Sequence, residues 1–256
     1  MAGLVHGLLA HPLTRHLGID DPRTTELRLR VIRSKAFLRR LYGEWYGSIA
    51  ATFAPGARVL ELGSGAGFLK EYIPGLITSE VFPAAGVSLV TDAQAIALAD
   101  AALDGIVMTD VLHHVPDCLA FFREAARVVK PGGSVAMIEP WNTSWSRLVY
   151  QRLHHEPFDL DVREWTFPAG GPLSGANGAM PWVVFERDRR LFAERCPEWR
   201  IVGIRPMMPI AYLLSGGVSF RSFVPGWAYA PVRCLERWSG LETTQAMFAA
   251  IILTRV

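Results

Sequence analysis

An open, doubly wound α/β sheet is the fold class this sequence predicts, on three observations. Val59-Leu60-Glu61-Leu62 reads as a buried strand that runs straight into glycines at Gly63, Gly65 and Gly67. Short apolar segments follow at 76–81, 87–90 and 105–110, and an acid stands at the end of each: Glu80, Asp92 and Asp110. The chain closes on another apolar run, Ala246 to Thr254. With 256 residues, half of them hydrophobic, one large domain with elaborations can bury a sizeable core.

Segment 24–50 carries Arg28, Arg30, Arg33, Lys35, Arg39 and Arg40 among Leu27, Val31, Phe37, Leu38, Leu41, Trp45 and Tyr46. Helical spacing of the apolar set predicts an amphipathic helix with a basic face. Such a helix either packs on the core and closes over a ligand, or meets an anionic membrane surface or a phosphorylated carrier. In the glycine turn that follows the first strand, the missing Cβ atoms let the backbone bend sharply and approach a ligand. That turn sits at the carboxyl end of a strand, where open α/β sheets bind ligands, and helical residues are expected after it. A dinucleotide site wants a small residue at the sixth place of the turn. Phe68 stands there.

The pattern is instead acid-x-Gly-x-Gly-x-Gly, and at this point the chain resembles motif I of the class I S-adenosylmethionine-dependent methyltransferases. Glu80 follows at the distance where an acid meets ribose hydroxyls, and a carboxylate can accept from both at once. The resemblance implies that Asp92 and Ala93 hold the adenine. The run Asp110-Val111-Leu112-His113-His114-Val115-Pro116-Asp117, followed by Val128-Val129-Lys130-Pro131-Gly132-Gly133, is similar to the type 11, or ubiquinone/menaquinone-methyltransferase-like, branch. It covers residues 56–140. It implies a Rossmann-like sheet of seven strands with helices on both faces and the last strand antiparallel. Strand five is then Ser134 to Ile138, strand six Trp199 to Arg205 and strand seven Ala246 to Thr254. It further implies S-adenosylmethionine as cofactor, held by Glu61, Gly63, Ser64, Gly65, Gly67, Glu80, Asp92, Ala93 and Asp110.

Charge points the same way. Four acids at strand ends, with no Lys or Arg in the glycine turn, repel a pyrophosphate and attract a cation. Helix capping is the alternative use of each acid. The formal net charge of +2 gives no sign of a nucleic-acid partner, and the three cysteines, Cys118, Cys196 and Cys234, show neither disulfide nor metal spacing. No apolar run long enough to span a bilayer and no signal-peptide pattern is read. The expectation is a cytoplasmic protein, with peripheral membrane contact left open.

Residues 1–53 are expected to form a helical extension and 54–256 the main domain, with inserts 141–198 and 207–245 capping an acceptor site. Long inserts in a compact domain are usually lids or binding loops. His155, Glu156, Asn177 and Trp182 are the substrate-binding candidates. His114, with His113 second, is the candidate base, the alternative being that the pair only shapes its turn. His154, His155, Glu156, Asp159 and Asp161 include metal-ligand types, but adjacent histidines point apart in regular structure, and no metal is expected. The acceptor is expected to be small or carrier-linked, a sugar hydroxyl first and a lipid or quinone second. A non-catalytic cofactor-binding or scaffold protein is the alternative from another class.

Overall fold

The computed structural model describes residues 23–65, 67–154, 156–168, 171 and 175–256. Seven strands form one sheet: β1 (Val59–Leu62), β2 (Ile77–Glu80), β3 (Leu89–Val90), β4 (Leu103–Thr109), β5 (Val129–Pro140), β6 (Trp199–Met207) and β7 (Phe248–Arg255). Their spatial order is β3-β2-β1-β4-β5-β7-β6. Strands β1 to β5 are parallel, and β7 runs antiparallel between β5 and β6. Central strands of such a sheet are covered on both faces and read as continuous apolar runs. Ile106, Val107 and Met108 of β4 are accordingly fully buried.

From β1 the chain moves outward through β2 and β3 and then returns to place β4 on the other side of β1. The loops leaving β1 and β4 therefore part, opening a crevice at their carboxyl ends. This reversal positions the site.

The helices are α1 (Arg23–Ser34), α2 (Ala36–Ala50), α3 (Cys118–Val128), α4 (Ser144–Leu153), α5 (Arg189–Arg195), α6 (Ala211–Ser215) and α7 (Tyr229–Trp238), with shorter helical turns between some of them. In α2 the residues Phe37, Leu38, Leu41, Trp45, Tyr46 and Ile49 share one stripe and are buried, while Arg39 and Arg40 face solvent. The basic face is divided. Lys35 is buried, and its Nζ donates to Gly217 O (2.5 Å) and Phe220 O (2.8 Å).

The helix expected after the glycine turn does not form. The described part of that segment holds only a 3-10 turn at Leu69–Glu71. Pro74-Gly75 comes too soon for a helix before β2 begins at Ile77. The segments 81–88 and 91–102, on either side of β3, contain no regular helix either. Aromatic packing takes the helix's place. Phe68 is buried against Tyr46, ring centroids 4.9 Å apart, with Tyr42 and Tyr72 alongside.

The second insert is fastened to α2 by charge. Arg233 of α7 is buried, with Nη2 2.7 Å from Glu44 Oε1 and Nη1 bonded to Glu236. Tyr229 Oη donates to Glu44 at 2.6 Å, and Glu236 accepts from Ile210 N and Ala211 N. No helix among the described residues is long and apolar enough to cross a membrane.

Replacing Arg233 by Met is expected to cost about 3–5 kcal/mol in urea unfolding, because it leaves buried carboxylates without their counterion. Burial alone would raise the Glu44 carboxyl, but the Arg233 and Tyr229 hydrogen bonds outweigh it and hold the group at about 2. A carboxyl depressed in the folded state stabilises above its ordinary value and loses that contribution as pH falls through the folded one. Unfolding free energy should therefore drop between about pH 4.5 and 2, with a shallower slope in Glu44→Gln.

Candidate active site

A cavity of about 540 Å³ opens at the carboxyl ends of β1, β2 and β4, and Arg28, Ile32, Tyr42 and Tyr46 of α1 and α2 also line it. The segment expected to form a basic helix thus packs over the ligand site. Strand β1 delivers the glycine turn. Gly63 has φ +62°, and a Cβ there would stand 2.6 Å from Val111 Cγ2. At Gly67 an added Cβ would meet Ser64 O and Tyr46 Oη, each at 2.8 Å. The turn is tied to the neighbouring strand: Ser64 N donates to Ser79 O (2.9 Å), Ser79 N to Ser64 Oγ (2.9 Å), and Gly65 N to Glu80 Oε1 (2.5 Å).

The expected acids gather here. Glu61, Glu80, Asp92 and Asp110 line the cavity with Gly63, Ser64, Gly65, Gly67 and Ala93. Burial pushes the Glu61 carboxyl up to about 8 against the Ser64 hydrogen bond, and raises Glu80 as well. Asp110 is pushed up to about 7 by burial, opposed by the His113 charge and aided by Glu139 and Glu156. Its φ of +56° is a strained setting for a non-glycine residue. Arg28 is the one Lys or Arg among the described lining residues. These carboxyls are short of positive charge, so a cationic ligand restores what burial has cost them.

The other half of the cavity is organised by Glu139, at the end of β5 and fully buried. Its Oε1 accepts from Val111 N (2.9 Å) and Leu112 N (2.7 Å), and its Oε2 lies 2.7 Å from His113 Nδ1. These bonds hold the 3-10 turn Leu112–His114. In that turn the two consecutive imidazoles lie on one side, centroids 4.3 Å apart. His113 Nε2 is 3.5 Å and His114 Nε2 3.8 Å from the Glu156 carboxylate. His114 Nδ1 is 3.0 Å from Gly175 O. Burial alone would lower His113, but the Glu139 and Glu156 carboxylates overcome it and lift it to about 10. Burial, then the His113 charge, lowers His114 to about 4. The expected base is thereby a weak one, since a general base works best near the operating pH.

Of the substrate candidates, Glu156 lines the cavity and Asn177 and Trp182 do not. Asn177 is buried and committed to the fold. Its Oδ1 accepts from Asp159 N and Ala179 N, its Nδ2 donates to Asp159 O, and its backbone N–H donates to His113 O. Trp182 packs half-buried against the core. His155 lies outside the described residues. The ligand set weighed from sequence does not assemble among the described residues. His113, His114 and Glu156 converge instead, with one possible ligand atom from each within 4.8 Å of the others. Sequence reasoning missed Glu139, whose only signal was an acid at a strand end. Although the aromatics of the inserts suggested an apolar surface, sequence reasoning did not foresee that Tyr150, Phe158, Tyr212 and Phe248 would meet as one wall of the cavity. Tyr150 and Phe158 stack at 4.8 Å and 21°, and Tyr212 meets Phe248 at 4.6 Å.

Comparison with known proteins bears on this cavity. A family model described as "Methyltransferase domain" matches residues 34–173, more than half of the chain. A curated relative, 2-methyl-6-phytyl-1,4-hydroquinone methyltransferase from Synechocystis, is 28% identical over 180 residues. The match covers 62% of this chain and 55% of that protein, so the chain spans little more than half the relative's length. Among solved structures, geranyl diphosphate C-methyltransferase from Streptomyces coelicolor, in complex with Mg2+, geranyl diphosphate and S-adenosyl-L-homocysteine, superposes with a TM-score of 0.49. It is 14% identical, with 97% of this chain and 92% of that one covered. A SAM-dependent methyltransferase from Aquifex aeolicus gives 0.47 at 16% identity, covering 92% and 99%.

Gly63→Ala is expected to destabilise by about 1–3 kcal/mol, because the new methyl meets Val111 and the left-handed backbone resists a side chain. Gly203→Ala, where a Cβ meets nothing within 4 Å, should stay within about 0.5 kcal/mol. Urea unfolding of the two variants side by side checks the contrast.

Proposed function

The chain belongs to the methyltransferase-domain family, and on that premise we propose that it transfers a methyl group from S-adenosylmethionine to a small acceptor carrying an apolar ring or chain, of the quinone or lipid class. The observation that carries the cofactor half is the Gly65–Glu80 hydrogen bond, which fixes an acid against a glycine turn inside a carboxylate-lined cavity. The residues fit the cofactor. It is a cation without phosphate, and the turn leads into a 3-10 turn rather than a helix whose N-terminus would favour a pyrophosphate.

In this reading Glu80 accepts ribose hydroxyls through lone pairs not taken by the backbone N–H groups of Gly65 and Val81. Asp92 and Ala93 hold the adenine; Glu61, Gly63, Ser64, Gly65, Gly67 and Asp110 surround the charged end. Bound there, the cofactor supplies a methyl group already activated by its sulfonium. The chain's own contribution is then proximity and alignment. Helices α1 and α2 shield the cavity from water, and Tyr150, Phe158, Tyr212 and Phe248 give the acceptor an apolar wall.

That wall and the hydroquinone-methylating relative favour the lipid or quinone acceptor. The sugar hydroxyl expected first finds no support among the relatives. In the same proposal the described part of the 1–53 extension, from residue 23 on, covers the cofactor, and the described parts of inserts 141–198 and 207–245 cap the acceptor, residues 1–22 lying outside the described residues. A cytoplasmic setting, with Cys118 and Cys196 buried as thiols, belongs to the same proposal. So does peripheral contact with a membrane, for which Trp227, Leu235 and Trp238 are exposed.

Calorimetry should show S-adenosylhomocysteine binding and NAD silent. Glu80→Ala should weaken that binding by about 1–3 kcal/mol, the worth of hydrogen bonds to a charged group. Mass spectrometry after incubation with S-adenosylmethionine should show methylated prenyl hydroquinones and unchanged sugars. Binding without turnover on any acceptor would favour the non-catalytic alternative.

A further inference from the structure

We propose that His113, His114 and Glu156 form a binding site for one divalent transition-metal ion in the wall of the cavity, with its open coordination positions turned toward the acceptor. Convergence comes first. The Glu156 carboxylate stands 3.5 Å from His113 Nε2 and 3.8 Å from His114 Nε2. Adjacent ligands of a tetrahedral ion with bonds of about 2.1 Å lie about 3.4 Å apart, near both carboxylate–imidazole separations, and one ligand atom from each of the three residues lies within 4.8 Å of the others.

The protonation pattern is the second argument. A carbonyl oxygen only accepts, so His114 Nδ1, 3.0 Å from Gly175 O, carries the hydrogen. The His114 Nε2 lone pair then lies on the side of the Glu156 carboxylate, 3.8 Å away, where it can be donated to an ion. His113 is oriented in the same way, and an ion binding there displaces the Nε2 proton that His113 directs at Glu156. Glu139 already accepts two backbone N–H groups, and His113 Nδ1–H donates to its second oxygen. Both imidazoles are thus held through Nδ1 with Nε2 directed at the carboxylate. A carboxylate or carbonyl behind each ligating histidine is the outer arrangement that orients metal ligands.

The donor set selects the ion. Two imidazoles and one carboxylate suit Zn2+, Mn2+, Fe2+ or Co2+, whereas Mg2+ prefers oxygen and water. Three protein ligands leave coordination positions for an acceptor oxygen. His113 is 4% and Glu156 13% exposed, so such an ion is shielded yet reachable from the cavity. His154, with Nδ1 3.6 Å from the same carboxylate, flanks the site. The proposed ion site rests on these contacts alone. Its task of holding an acceptor oxygen rests on the methyl-transfer reading.

The full chain, stripped with chelator, is titrated with Zn2+, Co2+, Mn2+ and Mg2+ by calorimetry, and Co2+ is followed by its visible spectrum. One Zn2+ or Co2+ per chain should bind, with Mg2+ silent, and the Co2+ bands should report imidazole coordination. His114→Ala and Glu156→Gln should each weaken Zn2+ by at least about 100-fold, and Glu139→Gln by about 10–100-fold, with far-UV circular dichroism showing each variant folded. If one variant unfolds, the others and the Co2+ spectrum of the parent decide. Absence of stoichiometric binding of all three transition ions overturns the proposal, as does binding undiminished in the folded variants. Binding of S-adenosylhomocysteine is measured on the stripped protein. Its failure would count against the cofactor reading and leave the metal site standing.

Discussion

The Glu139 carboxylate is the constraint on which the site depends. It is fully buried at the end of β5, where an ionised group without partners is costly. Three donors relieve that cost: Val111 N, Leu112 N and His113 Nδ1. Two of them lie in the backbone just beyond β4, so the acid of one strand sets the path of the loop leaving its neighbour. That loop bears Val111, against which Gly63 of the glycine turn is packed. The same carboxylate thereby governs where His113 points and how closely the two loops at the crevice approach.

Around this point the cavity divides by chemistry. Toward the ends of β1, β2 and β4 it is lined by Glu61, Glu80 and Asp110, whose carboxyls burial has raised, and the approach of positive charge is favoured. Toward the inserts it is lined by aromatic rings. The cavity thus offers a cation and an apolar group adjacent places, each where its own solvation cost is least. The missing helix after the glycine turn fits this division, since its positive end would oppose a cation.

The wall of the cavity is held together from a distance. Lys35 binds the carbonyls of Gly217 and Phe220, and Arg233 joins α7 to Glu44 of α2. Both contacts fasten the second insert to the N-terminal helices, and both segments contribute to the cavity through Tyr42, Tyr46, Tyr212 and Val218. Insert and extension are therefore one packed unit over the crevice. Asn177 plays a comparable part for the first insert, since its amide and backbone link Asp159, Ala179 and His113.

Much of the sheet was readable in the sequence, because strand periodicity and glycine turns are local signals carried by contiguous residues. The first strands and the acids Glu61, Glu80, Asp92 and Asp110 came from such signals, whereas the antiparallel end came from the family resemblance. The acids could be grouped because a doubly wound sheet brings the carboxyl ends of its parallel strands to one edge. What required the tertiary structure was every contact between segments remote along the chain. Glu156 reaches His113 and His114 only because the first insert folds back over β4, and Asn177 turns inward for the same reason. Tyr150 and Tyr212, on different inserts, meet at one wall. The helix predicted after Gly67 gave way to Phe68 packing on α2. Residue patterns report which face of an element is apolar, whereas the partner of that face is decided by how the chain crosses itself.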